Sequence, residues 1–131
     1  MASVDLDSYR WRNRLLLVFA ESRRDTRLEQ QTAMWRGQER GVEERDMVLM
    51  LLLSEEPGQI GQEPVSTNAA ARLRRRTGVP AEGFAVVLIG KDGGVKLRSS
   101  QPVSTQEIFA RIDAMPMRRS EMRREKGPAG T

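Results

Sequence analysis

A chain of 131 residues, 38% hydrophobic and 31% charged, is long enough for one domain that buries roughly two-thirds of its unfolded surface without a disulfide or a metal. It has no cysteine and no histidine, which excludes thiol chemistry, an imidazole base and the two commonest transition-metal ligands, so no metal or cofactor is expected. The net charge of +4 is clustered: Arg72, Arg74, Arg75 and Arg76 carry +4 and residues 111–126 carry +3, leaving −3 on the remainder, a balance open to an unknown protein or a small anionic ligand as partner.

Met1 to Arg14 is polar and lacks the apolar centre of a signal peptide, and no apolar run approaches the ~18 residues of a membrane span. The chain as written reads as cytoplasmic, or as periplasmic or secreted if a leader has been removed. Residues 1–8 are expected to be a flexible N-terminus, 9–119 the folded domain and 120–131 a basic tail. Tyr9, Trp11 and Asn13 alternate with Arg10, Arg12 and Arg14, which in an extended conformation places the two aromatics on one face over a core edge and the arginines on the other.

Leu15 to Ala20 is a continuous apolar run that fits a strand covered on both faces. Asp25 or Thr26 then caps a helix, with Thr26 and Glu29 forming a capping box, Leu28, Thr32 and Trp35 a narrow buried stripe, and Gly41 the stop. Met47 to Leu53 is a second solid apolar run, read as a central parallel strand. Glu55 to Asn68, with two prolines and two glycines, reads as a long loop.

Thr67 or Asn68 opens a helix that buries Ala69, Ala70 and Leu73 and ends at Gly78, with Pro80 beyond. Ala85 to Ile89 is a strand, Lys91 to Gly94 a tight turn, and Val95 to Arg98 a returning edge strand that alternates apolar and charged residues. Ser104 and Glu107 form a further capping box for a helix with Ile108, Ile112 and Met115 inward, which Pro116 ends. The order β-α-β-α-β-β-α specifies an α/β domain with a mixed central sheet of four strands between helical layers.

That order is the minimal thioredoxin-like fold, a three-layer sandwich. The chain also resembles the DUDES domain, a family of unknown function found as small bacterial proteins and as modules of equarin-type extracellular matrix proteins. The resemblance rests on Tyr9-Arg10-Trp11 with Asn13-Arg14 and the run to Ala20, on Arg45-Asp46, on Leu88 to Lys96, and on Ile112 to Arg119. It spans about Leu6 to Arg124 and implies a fold related to thioredoxins and peroxiredoxins. Where thioredoxins carry Cys-x-x-Cys at a helix N-terminus, this chain has Glu21-Ser22-Arg23-Arg24-Asp25-Thr26, and no proline immediately precedes Phe84. The function expected is therefore a non-redox binding or structural module, with no catalytic residue assigned.

Three groups of residues are candidate sites. Arg23 and Arg24 beside a helix N-terminus suit a phosphate or carboxylate, as an anion-binding protein or enzyme would, although Asp25 competes for the same N–H donors. Lys91, Asp92 and Arg98, with Lys96, surround the hairpin and form either a charged recognition surface or the turn and the guarded edge of a sheet. Met117, Arg118, Arg119 and Met122, beside Met115, suit docking of a partner; the structural alternative is that Met115 and Met117 pack under the sheet while the arginines reach outward. Nucleic-acid binding through Tyr9, Trp11 and their arginines is disfavoured by the balancing acids elsewhere. Asp46, Asp92, Asp113 and Glu121 are available for acid-base work, but no spacing pairs two of them in one site.

Overall fold

The computed structural model describes residues 4–126. Its centre is β1 (Arg14–Ala20), every residue of which is buried. On one side β1 runs parallel to β2 (Met47–Leu53), from Arg14 opposite Met47 to Ala20 opposite Leu53; on the other it runs antiparallel to β5 (Ala85–Ile89). The parallel pair requires a crossover, supplied by α1 (Thr26–Trp35) and α2 (Glu39–Glu44). β6 (Val95–Ser99) returns along β5 through the Lys-Asp-Gly-Gly turn.

Alternation along the strands divides the core in two. Leu15, Leu17 and Phe19 join Met50, Leu52 and Val87 beneath Ala69, Ala70 and Leu73 of α3 (Thr67–Thr77). Leu16, Val18 and Ala20 join Val86, Leu88 and Leu53 on the other face, under Leu28 and Trp35 of α1 and Ile108 and Ile112 of α4 (Thr105–Asp113). Full burial of each of the two isoleucines contributes about 2 kcal/mol. Capping defines the helix starts: Asp25, Ser66 and Ser104 accept backbone N–H bonds from Arg27, Ala69 and Glu107, and Gly78 at φ 76° closes α3. Asp25 is thus the cap of α1, and the cap of α3 sits one residue before Thr67.

The sheet has six strands, in the order β4-β3-β2-β1-β5-β6, and not the expected four. The two extra strands, β3 (Gly58–Ile60) and β4 (Glu63–Val65), form a short hairpin inside the segment read as a loop, and β3 pairs antiparallel with β2. Gly58 permits this, because a Cβ there would lie 1.9 Å from the Leu51 carbonyl oxygen. Pro64 is tolerated because β4 is the outermost strand.

Three boundaries also differ from the sequence reading. α1 ends at Trp35, Gly37 makes the left-handed turn at φ 76°, and Gly41 lies inside α2, where a Cβ would sit 2.6 Å from the Phe109 ring. Pro116 does not merely follow a helix; it begins α5 (Pro116–Lys126), whose first turn needs no N–H from it. Residues 9–13 do not form a strand: Leu6–Tyr9 is a 3-10 turn and Trp11 has φ 70° and is exposed, while Arg14, the first residue of β1, is completely buried. The helix α5 covers residues 120–126; residues 127–131 lie outside the described part.

Candidate functional site

Two regions concentrate unusual chemistry. The first lies at the end of the sheet where β1 and β2 begin and β5 finishes, which brings Arg14, Asp46 and Lys91 together from distant parts of the chain. Arg14 aims its two terminal nitrogens at the Glu121 carboxylate at 3.2 and 3.1 Å and also donates to the Arg45 carbonyl at 2.9 Å. The Lys91 ammonium donates to Glu121 at 2.6 Å and to Asp46 at 2.9 Å. Asp46, at φ 51°, turns its carbonyl toward the Arg14 N–H at 3.0 Å and the Asn13 amide at 3.1 Å.

A second tier of the same cluster lies beside it. Asp113 accepts from Arg45 at 3.1 and 2.9 Å and from Arg118 at 3.2 Å, and Arg118 also donates to the Glu44 carbonyl at 3.0 Å. The Arg45 guanidinium lies 4.0 Å from the centre of the Phe109 ring, which Trp35 meets edge-on. Burial pushes the Glu121 carboxyl up in pKa, but hydrogen bonds from Arg14 and Lys91 outweigh it and hold the group below the usual carboxylate range. Asp113 is depressed for the same reason, burial being outweighed by bonds from Arg45 and Arg118. Both carboxylates are thus held ionised, as partners for cations rather than as proton donors.

Each of the scattered stretches on which the family resemblance rests contributes to this cluster: the Trp11 backbone N–H donates to the Lys91 carbonyl, Asn13 and Arg14 bind Asp46, and Arg45, Lys91, Asp113 and Arg118 are its ions. Of the expected site residues, Lys91 and Arg118 are drawn into this cluster. Lys91 points inward, Asp92 closes its own hairpin by accepting from Gly94 and Lys96, and Arg98 donates to the Thr77 carbonyl at the end of α3. The Lys96 bond, with that from Gly94, lowers the Asp92 pKa. Arg118 is buried rather than reaching outward, Met117 is exposed rather than packed under the sheet, Arg119 is exposed and Met122 half-buried.

At the other end of β1, Arg23 crosses to the β2–β3 connection, donating to the Pro57 carbonyl and Gln59 and pairing with Glu56. Arg24 is exposed, and among the described residues only its backbone N–H makes a recorded bond, to Ser22. Asp25 sits on the N-terminus of α1, its pKa pushed up by burial but brought below the usual range by bonds from Arg27.

The second region was missed in the sequence. α1 covers β1 but leaves part of β2 open, so that Leu49 is 39% exposed in mid-strand. Between helix and strand lies a cleft of about 390 Å³ walled by Leu16, Val18, Leu28, Trp35, Leu49 and Leu51, with Arg36, Glu39 and Gln59 at its rim. Its helical wall is fixed: Gln31 exchanges two hydrogen bonds with the Val103 backbone at 2.9 and 2.8 Å, and the Trp35 indole donates to the same carbonyl. An all-apolar run such as Met47 to Leu53 carries no mark of which residue a helix will leave uncovered.

The chain is similar to the frog (Xenopus laevis) Sushi repeat-containing protein SRPX2, 28% identical over 115 residues that make up 86% of this chain and 25% of that protein. It is similar also to the human Sushi repeat-containing protein SRPX, 29% identical over 124 residues, or 92% of this chain and 27% of the relative. It therefore spans about a quarter of the length of these relatives. No solved structure shows significant similarity to it. A model of a domain of unknown function, DUF4174, matches residues 5–121, which include both regions described above, and the chain belongs to that family.

Proposed function

We propose that this domain is a thioredoxin-like binding module of the DUDES type without thiol chemistry, and that its binding surface is the cleft between α1 and β2, which takes an apolar segment of a protein partner. The thioredoxin-like reading is supported by the parallel β1–β2 pair, the antiparallel β5–β6 hairpin and helices on both faces, with the β3–β4 hairpin as an addition at one edge. The exposure of Leu49 in the middle of the sheet carries the binding reading. An apolar floor inside a charged and amide-bearing rim has the make-up of protein interfaces, and a volume of about 390 Å³ falls within the range of preformed pockets.

A protein partner suits a domain that forms about a quarter of longer relatives, where it works beside other segments. Of the two locations open from the sequence, the secreted one has the support of the resemblance to extracellular matrix modules. The alternative, an anion-ligand site or enzyme at Arg23 and Arg24, has less support because Asp25 holds the helix donors and Arg23 is already engaged. Selection of displayed peptides against the domain tests the reading. Binders rich in apolar residues are expected, and Leu49→Thr should weaken them about tenfold while leaving the melting temperature nearly unchanged. Binders unaffected by Leu49→Thr would move the binding surface elsewhere.

A further inference from the structure

Glu121 sits where three cations converge. The Arg14 fork meets its two oxygens, the Lys91 ammonium lies at 2.6 Å and the Arg118 guanidinium at 3.7 Å. Arg14 is fully buried, and its Nε has no hydrogen-bond partner among the described residues, so its guanidinium depends on Glu121 and the Arg45 carbonyl for its bonds. The Glu121 carboxylate comes from α5, a helix that contributes almost nothing apolar to the core. Among residues 116–125 only Arg118 is buried, and Met117 faces solvent. α5 is thus fastened by charge, and ion pairs are the contacts that a competing anion can replace like for like.

We propose that the hollow framed by Arg14 and Lys91 is an oxyanion-binding site, occupied at rest by Glu121 as an internal ligand and able to take a carboxylate or phosphate group from outside when α5 lifts and carries Glu121 and Arg118 away. A planar guanidinium fork and an ammonium suit an anion with two or three oxygens. Asp46 remains paired with Lys91 and keeps the emptied site from holding two uncompensated charges. The tethered carboxylate competes at high effective concentration, so the intact chain binds external anions weakly and only in the fraction of molecules with α5 lifted. The site stands on different residues from the cleft, and the two readings fail separately.

The test uses the full chain carrying Glu121→Ala, with acetate and inorganic phosphate as probes at constant ionic strength held by chloride. Either anion is expected to raise its melting temperature by about 3–6 °C, saturating in the millimolar range, with far less effect on the wild type. Adding Lys91→Met to Glu121→Ala should abolish the response. A response to acetate alone identifies a carboxylate site, and to phosphate alone a phosphate site. A folded Glu121→Ala protein that neither anion stabilises beyond the chloride control would overturn the proposal. If that variant does not fold, hydrogen exchange of the wild type decides: phosphate should speed exchange of the α5 amides while β1 stays protected, and no change in α5 would equally overturn it.

Discussion

The start of β1 and the outer flank of β2 lie in one sheet but answer opposite demands. At the first, a fully buried arginine and a buried lysine are matched by the carboxylates of Asp46 and Glu121, drawn from two distant segments of the chain; at the second, apolar side chains are left in contact with water. Buried charge tolerates no vacancy, because an unpaired ion costs several kcal/mol, so the cluster fixes how its segments meet. An uncovered leucine costs far less and leaves room for something else. The difference separates residues already paired within the chain from residues left without a partner surface.

The sharpest way to break this contrast is Arg14→Leu, which strands Glu121 beside Lys91 and leaves the Arg45 carbonyl without its donor. A loss of about 3 kcal/mol is expected from urea unfolding, whereas Arg23→Ala at the exposed opposite end should change stability by no more than about 0.5 kcal/mol. Comparable losses from the two would remove the distinction. Gly58→Ala should cost about 2 kcal/mol, since its Cβ meets the Leu51 backbone, and should loosen the β3–β4 hairpin beside the cleft first. Hydrogen exchange localised to residues 58–65 would show it.

Acid should release the ionic end before the rest of the sheet. Glu121 and Asp113 have pKa values depressed by folding, so their contribution is complete above the ordinary carboxylate range near pH 4–5 and declines as pH falls through the lower folded values. Unfolding followed from pH 7 to pH 2 should show that decline, and Glu121→Gln should reduce it; a stability that rises on acidification would contradict the assignment. The smallest effect belongs to Leu49→Thr, which keeps a strand-forming residue and should alter stability by less than about 1 kcal/mol.

How far the sequence disclosed this follows from the range of the forces involved. Local signals were legible: the caps at Ser104 and Asp25, the left-handed Gly78, the Asp-Gly turn and the apolar runs of β1, β2 and β5 all act within a few residues. The β3–β4 hairpin was not, because its three-residue strands hold no periodicity and its existence turns on a contact between Gly58 and Leu51. The ionic cluster was less legible still. Arg14 reads as the end of a charged alternation, and only the parallel register with β2 and the return of α5 reveal that it is buried opposite Glu121, 107 positions away. Pro116 illustrates the ambiguity in one residue, since proline both follows helices and starts them.

The binding role of the open β2 flank is tested most directly by methyl NMR of the leucine-labelled domain, titrated with an apolar peptide obtained by selection. Leu28, Leu49 and Leu51 should shift together, while Leu6 and Leu73 on the opposite face stay fixed, and Leu49→Thr should suppress the shifts. Saturable shifts confined to the opposite face, or unchanged in Leu49→Thr, would contradict the cleft as the binding surface.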